Sequence, residues 1–263
     1  MPITAPPPSI ARAGLRALKS VASVDGTFRF MSMIDGEVAD TELDLVDDYA
    51  EALGINDASL KDMHRFAIGQ FKVLRFDVLR RFILADRLKR EWKEEGLRGI
   101  WNLVRVAIQG EDAVLAARYQ ALESLPEGTL GREYFEFIRA NGFALPGEKD
   151  SLPEVIMFHD CNHVLGGYGT SNEEETQVAA FHAGYRGHDK FGLMLFLLMQ
   201  FHLGVQITPA TEGVKGHVKP DLVFKAFERG THLNCDLIAD WDPRKDFEVP
   251  LAELRLRFNV PPR

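Results

Sequence analysis

The chain of 263 residues is 46% hydrophobic and 27% charged, which is enough for one large or two small folded domains and excludes a disordered chain. Its formal charge of −8 argues against nucleic acid as a partner. No uninterrupted apolar run reaches about eighteen residues, so a membrane-spanning helix is not expected. Two cysteines, Cys161 and Cys235, are too few for a disulfide framework and suit a reducing compartment inside the cell.

Residues 1–24 form the first predicted segment, a basic one. After a proline-rich start, Arg12, Arg16 and Lys19 recur at helical spacing, and Ser9 can cap the helix that carries them. The pattern predicts a short basic amphipathic helix. This helix is either a membrane-surface anchor or transit peptide, or a terminal helix packed on the body of the protein.

Residues 25–105 form a second predicted segment, which is helical throughout. Its apolar residues between Thr41 and Leu53 share one helical stripe, and Gly54 follows where a C-terminal glycine cap belongs. The acidic turn from Met33 and the helix after it resemble TerB-like all-helical domains over about residues 30–75.

Residues 106–263 form the third predicted segment. The stretch Phe191–Ile207 is apolar on nearly every face and too short to span a bilayer, so it predicts a buried core helix, with a lipid-lining helix as the alternative. Strand signals are confined to Cys235–Ile238 and Phe247–Leu251. The predicted fold is therefore all-α, a multi-helix globular bundle around a buried apolar helix.

The sequence His-Asp-Cys-Asn-His at 159–163 carries the chemistry. Because a helix turns about 100° per residue, His159 and His163 lie on one face and can bind one cation. Asp160 is rotated by about 60° from His163 and can reach the rim of the same site, whereas Cys161 points away from it.

The residues after this five-residue motif predict a further ligand. Three glycines break the helix, and Ser171 with Glu174 forms a capping box for the next one. Glu175 then lies early in the new helix and can fold back towards the two histidines. His182 lies on nearly the same stripe as Glu175 and is interpreted as a supporting or core histidine. Two imidazoles and two carboxylates suit zinc or another divalent first-row metal ion.

Two hydrolytic motifs are close to this pattern but do not match it. In the zincin motif His-Glu-x-x-His, the glutamate is the general base, and the shorter Asp160 would reach the metal-bound water poorly. HD-type phosphohydrolases need further His and Asp ligands that this sequence does not reveal. Peptidase activity is disfavoured, and a metal-dependent hydrolase stays a lesser alternative.

Three segments together resemble the Coq-four family of ubiquinone (coenzyme Q) biosynthesis proteins over about residues 110–263. The stretch from Leu125 to Tyr134 is similar to the family's LP-x-G-(S/T)-LG-x-x-Y signature. His159-Asp-x-x-His163, eleven residues and Glu175 resemble its metal motif, and the chain's last residues from Pro250 resemble its L-x-E-L-R ending. This chain departs from the family at Leu152–Phe158, which lacks a basic, tyrosine-containing run, and at Cys161 and Asn162, which are often aromatic.

The resemblance implies an enzyme that removes the C1 carboxylate of a polyprenylated hydroxybenzoate precursor, with hydroxylation at the same carbon. The implied catalytic and metal-binding residues are His159, Asp160, His163 and Glu175, and His182 is the nearest candidate proton donor. The implied partners are the polyprenylated quinone precursor, a membrane surface and other quinone-biosynthesis enzymes. The implied location is the cytoplasmic face of a bacterial inner membrane or the mitochondrial inner membrane.

One alternative from another functional class stays open. A non-catalytic lipid-binding scaffold would present quinone intermediates to other enzymes and would bind metal and lipid without turnover. The sequence does not choose between a monomer and a homodimer.

Overall fold

The computed structural model describes residues 29–30, 32–35, 38–56, 58–81, 111–152, 154, 156–187, 190–207 and 212–263. The predicted basic helix of residues 1–24 and the stretch from residue 82 to residue 110 lie outside these residues. The description below therefore covers parts of the second predicted segment and most of the third.

The described residues contain ten α-helices and no strand, which confirms the all-α prediction. In chain order the helices are α1 Asp40–Leu53, α2 Ala58–Ala67, α3 Phe71–Leu79, α4 Ala113–Gln120, α5 Leu130–Ala140, α6 Ile156–Gly166, α7 Asn172–Tyr185, α8 Lys190–Phe201, α9 Pro220–Thr231 and α10 Leu251–Arg257. Short 3-10 turns occur at Ala121–Ser124 and Pro243–Lys245. No helix in the described parts of the chain is long and apolar enough to cross a membrane.

Contacts group the chain into two compact units. The first unit takes the described residues within 1–80 and 188–218, and the second takes those within 81–187 and 219–263. The first unit thus contains α1–α3 and α8, and the second contains α4–α7, α9 and α10. The division of the sequence into segments 1–24, 25–105 and 106–263 stays a prediction.

The first unit contains the apolar helix that the sequence predicts as a core element. Nearly every side chain of α8 is buried, and α8 packs against α2. Gln200 is buried among them and bonds the main chain at both of its amide atoms, to Ile207 N at 2.7 Å and Glu212 O at 2.9 Å. As expected, Gly54 caps the C-terminal end of α1, and its positive φ of 70° is the left-handed geometry that a glycine cap provides.

The strand signals at 235–238 and 247–251 are wrong, because these residues form turns and caps. The first two amides of α5 have no helical partner, and they donate instead to Val249 O at 2.9 Å and Phe247 O at 2.8 Å. Gly131 allows this close approach, since a Cβ there would lie 2.9 Å from Phe247 Cβ. The segment 247–251 therefore uses its carbonyls to begin a helix, and only Pro250 forms an isolated bridge, to Thr129.

In the second unit, α7 crosses α9 at a pair of glycines. A Cβ on Gly184 would overlap the carbonyl of Phe227, and a Cβ on Gly230 would overlap the carbonyl of Phe181. The two helices are therefore in backbone contact. This crossing fixes the helix that carries Glu175 against its neighbour.

Candidate metal centre

The local structure around the metal motif matches the sequence prediction. The helix α6 carries both histidines and ends at Gly166, and Gly167 follows with φ of 71°. Ser171 then caps α7 by accepting a hydrogen bond from Glu174 N at 3.3 Å. The short glycine turn between these helices returns the chain on itself, so that Glu175 in the first turn of α7 faces α6.

Three of the predicted ligands converge. The Nε2 atoms of His159 and His163 are 2.9 Å apart, and each lies 3.5 Å from a different carboxylate oxygen of Glu175. A single ion about 2.0–2.2 Å from each donor, with bond angles of about 90–110°, requires donor separations of roughly 2.8–3.6 Å. The separation of the two nitrogens and the distance from each nitrogen to the carboxylate oxygen that faces it fall within this range, which suits a carboxylate that binds through both of its oxygens.

The orientation of His163 supports the same conclusion. Its Nδ1 lies 2.9 Å from the carbonyl oxygen of Gly169, which can only accept a hydrogen bond. In the neutral ring, the form that binds a metal ion, Nδ1 therefore carries the proton and the lone pair is on Nε2, the atom that faces His159 and Glu175. A main-chain carbonyl that fixes the tautomer in this way is a common support for a metal-binding histidine. The ring of Phe137 packs on His163 with its centroid 5.5 Å away.

The electrostatics of the cluster favour an anionic carboxylate beside the imidazoles. Burial alone would raise the pKa of Glu175, but the hydrogen bonds and charges of His159 and His163 outweigh it and lower the pKa. Burial likewise opposes protonation of His159, yet the adjacent carboxylate raises its pKa overall. The His159 side chain keeps 37% of its exposure, so the cluster can be reached from outside.

Asp160 is the predicted ligand that does not join this group. The donor atoms that lie within 4.8 Å of one another belong to His159, His163 and Glu175. Asp160 is half-buried and close enough for its charge to interact with all three. Burial raises its pKa to about 6, against the opposing effect of the two imidazoles. Its part in metal binding stays a prediction.

Two residues inside the motif at 159–163, Cys161 and Asn162, have structural roles. Cys161 is fully buried with its Sγ 3.5 Å from Met157 Sδ, and it is not part of the cluster. Asn162 donates to Phe158 O at 2.7 Å and accepts from the Tyr185 hydroxyl at 3.1 Å. Because Tyr185 is in α7, this amide ties together the two helices that carry the candidate ligands.

His182 lies beside the cluster rather than in it. Its ring centroid is 5.3 Å from that of His159, with the two rings perpendicular. Burial, together with the charges of His159 and His163, lowers its pKa well below the usual value, so the ring is neutral. Its buried Nε2 has no hydrogen-bond partner among the described residues. Buried polar atoms are normally paired, so this nitrogen is available to a bound molecule.

Three arginines that the sequence did not single out surround the end of α6. The guanidinium groups of Arg229, Arg255 and Arg263 donate to the carbonyls of residues 164–167 at 2.7–3.1 Å. The last carbonyls of a helix have no partner within it, and cations stabilise the negative end of its dipole. Of these three, only Arg255 belongs to a motif noted in the sequence, as the final residue of the L-x-E-L-R segment. Its contact with α6 was not predicted.

Fold and site thus define an all-helical protein with a candidate divalent-metal centre between two consecutive helices. No protein-family model matches the chain. The mitochondrial ubiquinone biosynthesis protein COQ4 homolog of Rattus norvegicus is 27% identical over 190 residues, which cover 68% of this chain and 65% of that protein. The chain therefore spans slightly less than two thirds of the relative's length. The predicted resemblance to the Coq-four family of ubiquinone biosynthesis proteins is confirmed by this comparison.

A solved structure is also similar. It is a crystal structure at 2.85 Å resolution of a chain from Nostoc punctiforme PCC 73102, described provisionally as a ubiquinone biosynthesis protein. It is 20% identical and covers 91% of this chain and 99% of its own length, with a TM-score of 0.40. At that TM-score the likeness carries no argument.

Proposed function

We propose that this protein acts in ubiquinone biosynthesis as a metal-dependent decarboxylase of a polyprenylated hydroxybenzoate precursor. The proposal is supported by one observation above all: three ligands of the Coq-four metal motif converge within 4.8 Å in a chain similar to a COQ4 homolog. Two imidazoles and a carboxylate are a donor set that zinc and other first-row divalent ions accept.

In this proposal His159, His163 and Glu175 hold the metal, and Asp160 is the additional candidate ligand beside them. The Gly169 carbonyl keeps the His163 lone pair directed at the ion, since it accepts the Nδ1 proton. The exposed edge of His159 leaves a side from which a substrate can approach. A bound divalent ion would supply charge stabilisation for the ring oxygens and carboxylate of the substrate.

The reaction breaks the bond between C1 of the ring and its carboxylate carbon. Carbon dioxide leaves, the bonding electron pair stays with C1, and C1 then takes a proton. In the oxidative form C1 would take one oxygen atom of dioxygen, and a two-electron donor with two protons would reduce the other oxygen atom to water. Beside the three metal-binding candidates, His182 is the candidate donor of the proton that C1 takes. Its neutral ring has one N–H, and its buried Nε2 is unpaired among the described residues.

The polyprenyl tail of the proposed substrate indicates where in the cell the protein would act. A polyprenyl tail is stored in a bilayer, so the enzyme would work at a membrane surface, with other quinone-biosynthesis enzymes as its partners. The rat relative is described as a mitochondrial protein. By analogy we propose a peripheral position on the mitochondrial inner membrane, or on the bacterial inner membrane if the chain is bacterial.

The decisive experiment measures metal content and quinone production together. His159→Ala/Glu175→Ala removes two of the three converging donors, and we expect bound metal to fall from about one equivalent to below about 0.1. Quinone production in cells that depend on this protein should fall with it. His232→Ala/Glu248→Ala is the matched control, since both side chains are exposed and lie outside the cluster.

Full quinone production by a metal-free double variant would overturn the proposal. Purified protein that holds metal and a polyprenyl substrate but shows no turnover would instead favour the non-catalytic scaffold. Release of phosphate from phosphoester substrates would favour a hydrolase.

A further inference from the structure

Exposed apolar side chains are concentrated in α3 and the turn before it. Ile68, Phe71, Val73 and Phe76 are exposed by 66%, 41%, 50% and 67%. They account for half of the large hydrophobic side chains that are strongly exposed in the described parts of the chain. Scattered apolar residues are normal on a protein surface, but a local cluster of them marks an interaction site.

The helix α3 carries apolar side chains on its outer face as well as on its buried face. Leu74 and Val78 are buried at 0% and 1% exposure and attach α3 to the first unit. Val73 and Phe76 are three positions apart and point in the opposite direction, outwards. The outer face is therefore not needed to hold the helix in place.

Cations accompany these apolar residues. Lys72 and Arg75 are exposed, and neither has an ion-pair partner among the residues that the structure describes. The acidic residue of the helix, Asp77, is already neutralised by Arg65 at 3.2 Å and Arg80 at 2.8 Å. In a chain with a net charge of −8, this surface is locally positive. We call Ile68, Phe71, Lys72, Val73, Arg75 and Phe76 the α3 patch.

The size and charge of the patch favour a lipid surface over a protein partner. Its four apolar side chains expose on the order of 400 Å². A stable protein interface needs about 800 Å² on each partner. Shallow insertion into a bilayer needs only a few apolar side chains beside cations that bind anionic headgroups.

We propose that the α3 patch inserts into the headgroup region of a bilayer that contains anionic lipids. The apolar side chains of Val73 and Phe76 enter the boundary of the acyl chains, and Lys72 and Arg75 bind the lipid phosphates around them. The inference deepens the proposed function and rests on it for the membrane as the place of action. It assigns membrane binding to the first unit, whereas the candidate metal centre belongs to the second.

The test is vesicle co-sedimentation of the full chain. We use phosphatidylcholine vesicles with and without phosphatidylglycerol, and we expect binding to the anionic vesicles that weakens as salt is raised. Val73→Ser/Phe76→Ser should weaken this binding at least tenfold. Lys72→Gln/Arg75→Gln should weaken it about fivefold for each charge removed. The control Val114→Ser/Leu256→Ser removes two side chains that are exposed by 77% and 82% elsewhere.

The outcomes separate this inference from the proposed function. The α3 variants should keep their metal content, and His159→Ala/Glu175→Ala should bind vesicles as the unmodified chain does. Vesicle binding that is equal in the α3 variants and the control would overturn the inference and leave the metal proposal intact. Absent vesicle binding, with self-association that is lost in the α3 variants, would overturn it in favour of a protein interface.

Discussion

His163 has a single orientation available to it. Its Nδ1 proton is bound by the Gly169 carbonyl, its ring lies on Phe137, and only 1% of its side chain is exposed. His159, one turn earlier, is partly open to solvent. The two histidines of the motif are therefore unequal: His163 is fixed by the protein, and His159 forms the accessible side of the cluster.

The carboxylate of Glu148, in the second unit, leads to a prediction about how stability depends on pH. Glu148 accepts two hydrogen bonds from Arg139, at 2.6 and 2.8 Å, together with one from Gln120 and one from Leu145 N. The bond with Arg139 contributes most, and against the effect of burial these bonds lower the pKa of Glu148 from 4.5 to about 2. Because the folded pKa is lower, the stabilisation is complete above pH 4.5 and disappears as the pH falls towards 2.

We therefore expect Glu148→Gln to lower the free energy of unfolding by about 1–2 kcal/mol at pH 7 and by progressively less below pH 4.5. Urea unfolding at several pH values measures this difference. Glu136→Gln is the control, since the exposed pair with Arg132 contributes below about 0.5 kcal/mol. A loss of stability that is the same at pH 3 and pH 7 would contradict the assignment.

Among the elements, α10 has a role that its length does not suggest. It begins at Leu251 and contains seven residues, yet its Arg255 binds Leu165 O at 3.0 Å and Val164 O at 3.1 Å at the end of α6. Burial and the nearby charge of Arg229 lower the pKa of Arg255, which shows how closely the cations are placed around these carbonyls. The helix with the two histidines is thus terminated by a helix from the far end of the sequence.

Replacement of Arg255 by Met should leave two carbonyls of α6 without their partner. We expect a loss of about 1–3 kcal/mol in the free energy of unfolding, and metal affinity about tenfold weaker because the end of α6 is no longer fixed. Calorimetric titration with zinc and chemical unfolding measure the two effects. Arg257→Met, on the same helix, removes ion pairs with Asp246 and Glu253 and a contact with the Phe258 ring but no bond to α6, and it is the control. Equal effects of the two substitutions would show that Arg255 does not support α6.

At the scale of the whole molecule, metal binding should raise the thermal stability of the chain. A ligand that binds only the folded state stabilises it by mass action, by about 4 kcal/mol at a thousand times Kd. At roughly 2–4 °C per kcal/mol, we expect that concentration of zinc to raise the midpoint of the second unit's unfolding by about 8–16 °C. Differential scanning calorimetry with zinc and with a chelator measures the shift. An equal shift in His159→Ala/Glu175→Ala would place the metal elsewhere.

The sequence was sufficient for those parts of the molecule that depend on near neighbours. The spacing of His159 and His163, the glycine turn and the Ser171 cap are all local, and so the approach of Glu175 followed from helix geometry. The buried apolar helix was equally clear, because it has no polar face.

The parts that sequence reasoning missed depend on contacts between distant segments. Hydrophobic periodicity shows which face of a helix is buried but not what covers it, so the arginines around α6 were not found. The segment 247–251 has the composition of a strand, but its carbonyls meet the free amides of α5. The prediction for Asp160 used only its rotation about the helix axis. That rotation gives the direction of the side chain but not the distance from its carboxylate to the other ligands.

The glycine crossing between α7 and α9 affects how substitutions in this protein should be interpreted. Glu175 is on α7, and Arg229 precedes Gly230 on α9, so one point of backbone contact sets the position of both. A mutational scan for essential positions would select Gly184 and Gly230 as readily as the histidines. Neither glycine has a functional group. Loss of activity on substitution there would reflect the spacing of two helices and would not identify a residue that takes part in the chemistry.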